Sequence, residues 1–216
     1  MRVAIAGGHG TIALHLTRML ADAGHDVASI VRNPDHRADV EDAGGAMIVA
    51  DLEQVTAAEL ADAIGSADVT VFAAGAGPGS GAERKETVDF QGAVKLIQAS
   101  QRLDVGHYVM VSAIGADPTH VGDEVFDVYL RAKGRADDAV RSSGLPFTIV
   151  KPTSLTDDDP TGTVMLGESA DGGKVTRADV AAVLAGLIEQ GAGGGGRTLE
   201  MTAGDTPVDD AVASVL

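Results

Sequence analysis

Between a short aliphatic run, Arg2–Ala6, and a segment of helical periodicity, the chain reads Gly7-Gly8-His9-Gly10-Thr11-Ile12-Ala13. Glycines at a strand-to-helix junction leave few folds open. One permits a tight turn, another lets the backbone approach a ligand, and a small residue lets the helix pack on the strand. Gly7, Gly10 and Ala13 hold those places. The first helical amides, around Thr11 and Ile12, then meet an anion with the helix dipole behind them. This is the spacing and context of a dinucleotide-binding loop. No Gly-Lys-Ser/Thr follows, so it is not a Walker loop. A ligand-free glycine turn would have the same local sequence.

The rest of the chain repeats the alternation that the loop begins. Helical patterns over Thr11–Ala23, Pro34 to about Ala43, Thr56–Ile64, Glu83–Arg102 and Asp123–Ser143 separate six short apolar runs. These runs are Arg2–Ala6, Asp26–Val31, Ala46–Ala50, Asp68–Ala74, Gly106–Ser112 and Phe147–Val150. Strands without period-two alternation, spaced by helices, indicate a parallel sheet covered on both faces. Right-handed crossovers make it a doubly wound α/β sheet, the Rossmann arrangement. Thr163–Leu166 and Arg197–Thr202 read as later strands, Thr176–Gln190 and Pro207–Val215 as helices, and Gly191–Gly196 as a turn. One domain is expected over 1–216, with 1–151 as its core and 152–216 as a short segment completing the sheet and the substrate side.

Composition narrows the function. Sixteen Lys and Arg stand against 32 Asp and Glu, a net charge of −16. Such a surface does not displace counterions from nucleic acid and is repelled by anionic lipid. With no cysteine there is no disulfide, thiolate nucleophile or Cys-ligated metal. The histidines form no metal-binding pattern, so no metal is expected. There is neither a charged-then-apolar leader nor an apolar run of spanning length. A cytoplasmic protein acting on a small-molecule substrate is expected, its oligomeric state open.

Two further places carry chemistry. An acidic residue after the second strand would bond a ribose 2′-hydroxyl, as in NAD sites. Here the strand ends Val31-Arg32-Asn33-Pro34, and the Arg32 fork suits a 2′-phosphate, with His36 and Arg37 near enough to assist. NADP is therefore expected over NAD, although a solvent-facing arginine is the plainer alternative. Asp51-Leu52, past the third strand, is placed either to meet an adenine ring or to cap a turn. Tyr129 and Lys133, four residues apart, share a helix face. A neighbouring ammonium lowers a phenol's pKa, which makes Tyr129 a proton donor or acceptor for a carbonyl–alcohol step. Lys133 could also bond the nicotinamide ribose, and Ser112 the substrate oxygen. A surface tyrosine beside a lysine would read the same way.

These stretches, with Val71–Gly75, Asp89-Phe90-Gln91-Gly92-Ala93, Val109–Ser112 and Lys151-Pro152, resemble the atypical short-chain dehydrogenase/reductases. They are close to NmrA-like and NAD(P)-dependent epimerase/dehydratase-type proteins. The resemblance spans residues 1 to about 155. It implies that Gly7, Gly10 and Ala13 form the dinucleotide loop, that Arg32 contacts a 2′-phosphate, and that Ala73, Ala74 and Gly75 pass beneath the cofactor. It implies Ser112, Tyr129 and Lys133 as the active-site trio, and Pro152 and Thr153 beside the nicotinamide. Asp89 stands where extended members carry Asn, which alters the hydrogen bonding behind the active site. Roughly 65 residues follow Pro152, fewer than a sugar-nucleotide domain needs, so a small flat substrate is expected. The implied function is NADP-dependent hydride transfer to a small carbonyl, quinone or flavin-like acceptor. The alternative is a non-catalytic NADP(H)-binding redox sensor of NmrA-like type. The glycine-rich loop Gly75–Gly81 lies beside the expected site as a possible cover.

Overall fold

The computed structural model describes residues 1–77, 79–191 and 196–216. Apart from its two end residues, the expected turn at Gly191–Gly196 lies outside them. So does Pro78 of the Gly75–Gly81 loop.

Six aliphatic runs form the parallel body of one sheet: β1 (Arg2–Ala6), β2 (Asp26–Val31), β3 (Ala46–Val49), β4 (Val69–Phe72), β5 (His107–Val111) and β6 (Phe147–Pro152). Their order is β3-β2-β1-β4-β5-β6. The sheet continues through β10 (Arg197–Ala203), parallel to β6. It closes with β8 (Thr163–Gly167) and β11 (Thr206–Pro207), each antiparallel to its neighbour. β7 (Ser154–Thr156) and β9 (Lys174–Thr176), which have too few residues to show a periodicity, form a separate parallel pair.

Successive side chains of a strand leave on opposite faces. Val3 and Ile5 therefore enter one core with Leu16, Leu20, Val183 and Leu184. These come from α1 (Thr11–Asp22) and α7 (Arg177–Glu189). Ala4 and Ala6 enter the other core with Leu60, Phe72, Leu96 and Met110. That face is covered by α3 (Ala57–Ile64), α5 (Ala93–Arg102) and α6 (Val125–Arg141). α2 (Arg37–Asp42) follows a 3₁₀ turn at Pro34–His36, and α8 (Val208–Ser214) closes the chain. No described helix is long and apolar enough to cross a membrane.

The expected helix Glu83–Arg102 is not uniform. α4 (Ala82–Arg84) runs into a π-helical stretch, Lys85–Gly92, before α5 resumes α geometry. In this stretch Thr87 bonds Glu53, beyond β3, and Val88 faces the pocket at the strand ends, while Lys85 and Asp89 lie against α6. At the other end of the sheet His107 opens β5. It is buried, with Nε2 3.0 Å from Thr148 Oγ1, and burial pulls its pKa down to about 4.

Candidate functional site

The strand order reverses at β1, between β2 and β4. In doubly wound sheets the ends of such strands splay into a ligand crevice. Here a cleft of about 330 Å³ opens at the carboxyl ends of β1 to β4.

Its floor is the glycine loop. Gly7 has φ +81°, and a Cβ there would fall 2.6 Å from Ala74 Cα. The residue is needed because the end of β4 packs directly on the loop. The Gly7 and Gly8 amides donate to Ile30 O at 3.2 and 3.0 Å, fastening the loop to β2. Gly10 differs: a Cβ there would approach only Gly7 O, at 3.3 Å, so the space it leaves opens on the cleft. Gly10 caps α1 with no side-chain bond, and no acidic residue occupies the first turn. The amides of Thr11 and Ile12 are thus left for an outside acceptor. A backbone cradle that a Cβ would fill, under uncapped amides, fits a dinucleotide pyrophosphate.

The outer wall carries the cations. Arg32 follows β2 with its side chain 58% exposed, and its NH1 is 3.8 Å from Glu53 Oε2. The same oxygen accepts from Arg84 Nε at 3.2 Å and NH2 at 2.8 Å. Thr87 Oγ1 donates to Glu53 Oε1 at 2.6 Å. The Thr87 hydroxyl, then the guanidiniums, hold the Glu53 carboxyl below the usual carboxylate range. His36 lines the cleft and stacks on His9 with centroids 3.5 Å apart. Arg37 pairs instead with Glu41 along its own helix. Asp51 and Leu52 both line the cleft, and Asp51 Oδ1 also accepts the Glu53 amide at 2.9 Å, so the turn-forming role is present as well.

The inner side is built differently. Ala73, Ala74 and Gly75 line the cleft. Beneath them lies Asp89, fully buried, whose Oδ2 accepts the Ala76 amide. Its Oδ1 is 3.7 Å from Lys133 Nζ. Lys133 is 4% exposed and donates to Val111 O at 3.0 Å and Ala74 O at 3.4 Å. Its ammonium ties the ends of β4 and β5 together. Burial pushes its pKa down, and Asp89 and Asp137 oppose the shift.

Tyr129 does share the Lys133 face, but the expected fall in its pKa is reversed. Burial raises it, and the Asp89 and Asp137 carboxylates raise it further. The carboxylates add to what burial does, and the four-residue spacing to Lys133 does not offset them. The Tyr129 ring stacks on Phe126 and lies 5.5 Å beneath Lys85 Nζ, which donates to Gly77 O in the glycine-rich loop.

Ser112 Oγ is buried without a hydrogen-bond partner among the described residues, beside Asp137. The Asp137 carboxyl is raised by burial, against Ser112 and Lys151, whose Nζ is 3.1 Å away. Thr153 Oγ1 donates to Thr202 Oγ1 at 3.0 Å, toward β10, and Pro152 ends β6 in the core. The cleft thus gathers Gly7, Gly10, Arg32, Asp51, Leu52, Ala73, Ala74 and Gly75. Thr11, Ile12, Ser112, Tyr129, Lys133, Pro152 and Thr153 do not line it. Glu53, Arg84 and Val88 line it without having been singled out from sequence; an Arg one turn past a glycine-rich loop is the signal for Arg84. No group of three or more potential metal ligands occurs among the described residues.

Known proteins agree with this geometry. A family model described as NAD(P)H-binding matches residues 7–191. The uncharacterized sugar epimerase YhfK of Bacillus subtilis (strain 168) is 33% identical over 214 residues, 98% of this chain and 99% of that protein. A solved structure from Bacillus halodurans, described as a candidate NAD-dependent epimerase/dehydratase, superposes with TM-score 0.90 at 36% identity, covering 99% of both chains. The oxidoreductase YlbE of Lactococcus lactis superposes with TM-score 0.84 at 24% identity, covering 100% of this chain and 96% of that one, which bears on the fold alone.

Proposed function

The chain belongs to the NAD(P)H-binding family, and on that premise we propose that it is an NADP-dependent oxidoreductase. Its acceptor is a small carbonyl, quinone or flavin-like molecule. The observation that carries the choice of NADP is Arg32, an exposed guanidinium directly after β2, where NAD sites carry a carboxylate. A 2′-phosphate there gains charge-assisted hydrogen bonds that a hydroxyl does not.

Bound NADPH would supply hydride at the nicotinamide ring. The chain's own part is positional and protonic. Gly7, Gly10 and the Thr11 and Ile12 amides hold the pyrophosphate, Arg32 the 2′-phosphate, and Asp51 with Leu52 the adenine side. Ala73, Ala74 and Gly75 form the surface on which the cofactor lies. Tyr129, protonated at neutral pH, would give its proton to the oxygen of a carbonyl or quinone acceptor as hydride adds, so that this oxygen becomes the product's hydroxyl, and the phenol would be reprotonated from solvent. Lys133 fixes the strand ends beneath that step. A cytoplasmic setting is part of the same proposal.

A second reading is a non-catalytic NADP(H) sensor. One observation favours it: the Lys133 ammonium and the Ser112 hydroxyl are both buried away from the cleft. Turnover of NADPH with a panel of quinones, flavins and aldehydes separates the two. Acceptor-dependent oxidation that Tyr129→Phe reduces supports the enzyme. Tight NADPH binding without turnover supports the sensor, and binding of neither dinucleotide at millimolar concentration contradicts both.

A further inference from the structure

Two guanidiniums on separate elements converge on one carboxylate oxygen at the cleft mouth. Arg32 comes from the end of β2 and Arg84 from α4, and both reach Glu53 Oε2. In a chain with 16 basic residues against 32 acidic ones, two arginines at one point concentrate a scarce charge. Their like charges repel, and Glu53 lies between them. An ordinary partly exposed ion pair contributes little to stability, so folding alone gives weak reason for the second arginine.

The carboxylate is itself firmly placed. Thr87 Oγ1 holds Oε1, and Lys95 Nζ donates to Leu52 O at 2.7 Å and to Glu53 O at 3.3 Å. Glu53 is therefore a counter-anion anchored through one carboxylate oxygen and its backbone, and it draws both guanidiniums to the mouth of the cleft. Arg84 uses Nε and NH2 on Glu53, and its NH1 has no protein partner among the described residues. Its side chain is 35% exposed and lines the same cleft as Arg32. Two guanidiniums share one carboxylate at this point, and the second acidic group of the cleft, Asp51, has Oδ1 taken up by the Glu53 amide. The N–H groups that the two guanidiniums do not spend on Glu53 can meet a further compact anion, with three oxygens, from two directions.

We infer that Arg84 is a second specificity-determining residue for the cofactor, reading a 2′-phosphate monoester from the side opposite Arg32, with Glu53 holding the two guanidiniums in place. The inference rests on the NADP reading above and goes beyond it by assigning a residue from another element of the fold.

The test uses 2′,5′-ADP and 5′-AMP, which differ only in the 2′-phosphate, titrated calorimetrically into the whole protein. For Arg84→Ala the expected result is at least tenfold weaker binding of 2′,5′-ADP, with 5′-AMP within twofold of wild type. That variant also leaves Glu53 uncompensated, so the double variant Arg84→Ala/Glu53→Gln is measured beside it. It should remain several-fold weaker than wild type for 2′,5′-ADP. Full recovery in the double variant would mean that Arg84 only neutralises Glu53, and would overturn the inference. So would an unchanged ratio of the two affinities in Arg84→Ala, provided its thermal unfolding matches wild type. If wild type itself does not prefer 2′,5′-ADP, the NADP reading fails as a whole. If it does, and Arg32→Ala removes the preference while Arg84→Ala does not, only the role of Arg84 fails.

Discussion

Along the carboxyl edge of the sheet, the β1–β3 side offers its polar groups to solvent, and the β4–β6 side pairs them beneath the surface. On the first side lie the uncapped amides of α1, Arg32, Arg84 and His36, all around an open cleft. On the second side Lys133 meets Asp89, Lys151 meets Asp137, and each pair is buried. The same chemical types do different work. Where charge is exposed it is available to a ligand and contributes little to stability. Where it is buried and paired, removal of one partner leaves the other stranded.

The largest effect is expected from Lys133→Met. It leaves Asp89 buried without its cation and should destabilise the protein by about 3–5 kcal/mol, read as a shift in the urea midpoint. A loss below about 1 kcal/mol would mean that the pair is not structural. Adding Asp89→Asn to that variant should recover part of the loss.

Gly10→Val addresses the other side. Its backbone is extended, but a Cβ would sit 3.3 Å from Gly7 O at the cap of α1, so the loop must give slightly and stability should fall by about 1 kcal/mol. The added methyls enter the cradle, and dinucleotide affinity should fall on the order of a hundredfold, about 2.7 kcal/mol, well beyond the loss of stability. Unchanged affinity would remove the loop from the site.

His107 provides a control away from the cleft. Its folded pKa of about 4 lies below the unfolded value of 6.5. Between those values the unfolded state binds more protons, so stability rises with pH across the window and is lost as pH falls through it. The loss on acidification should reach roughly 2 kcal/mol, and His107→Gln should flatten that component. A wild-type stability that is level between pH 6.5 and 4.5 would contradict the burial argument.

Arg32→Ala should weaken NADPH about tenfold, near 1.4 kcal/mol, and leave NADH almost unchanged. Equal losses would deny the 2′-phosphate role. The smallest effect is an absence. Burial and two carboxylates keep Tyr129 protonated, so its ionisation should not appear in a rate–pH profile up to about pH 10. A limb between pH 7 and 9 that vanishes in Tyr129→Phe would contradict it.

The exposed side of the site was largely legible in sequence, because its signals are local. The Gly7–Ala13 spacing, the strand before it and Arg32 after β2 all lie within short windows. The buried side was less so. A separation of four residues shows that Tyr129 and Lys133 share a face, but not that Lys133 turns to Val111 O and Ala74 O. Nor does it show that Asp89 and Asp137 outweigh its charge at Tyr129. Glu53 and Arg84 are 31 residues apart and meet only through the crossover from β3 to β4. The π winding of Lys85–Gly92 was hidden because a run of helix-compatible residues does not reveal how tightly it winds.

If the cleft takes the 2′-phosphorylated dinucleotide, calorimetric titration of the wild-type protein with NADPH and with NADH, in the same buffer at physiological salt, should show NADPH tighter by about tenfold or more. Equal affinities, or tighter NADH, would rule that cofactor out as the preferred one.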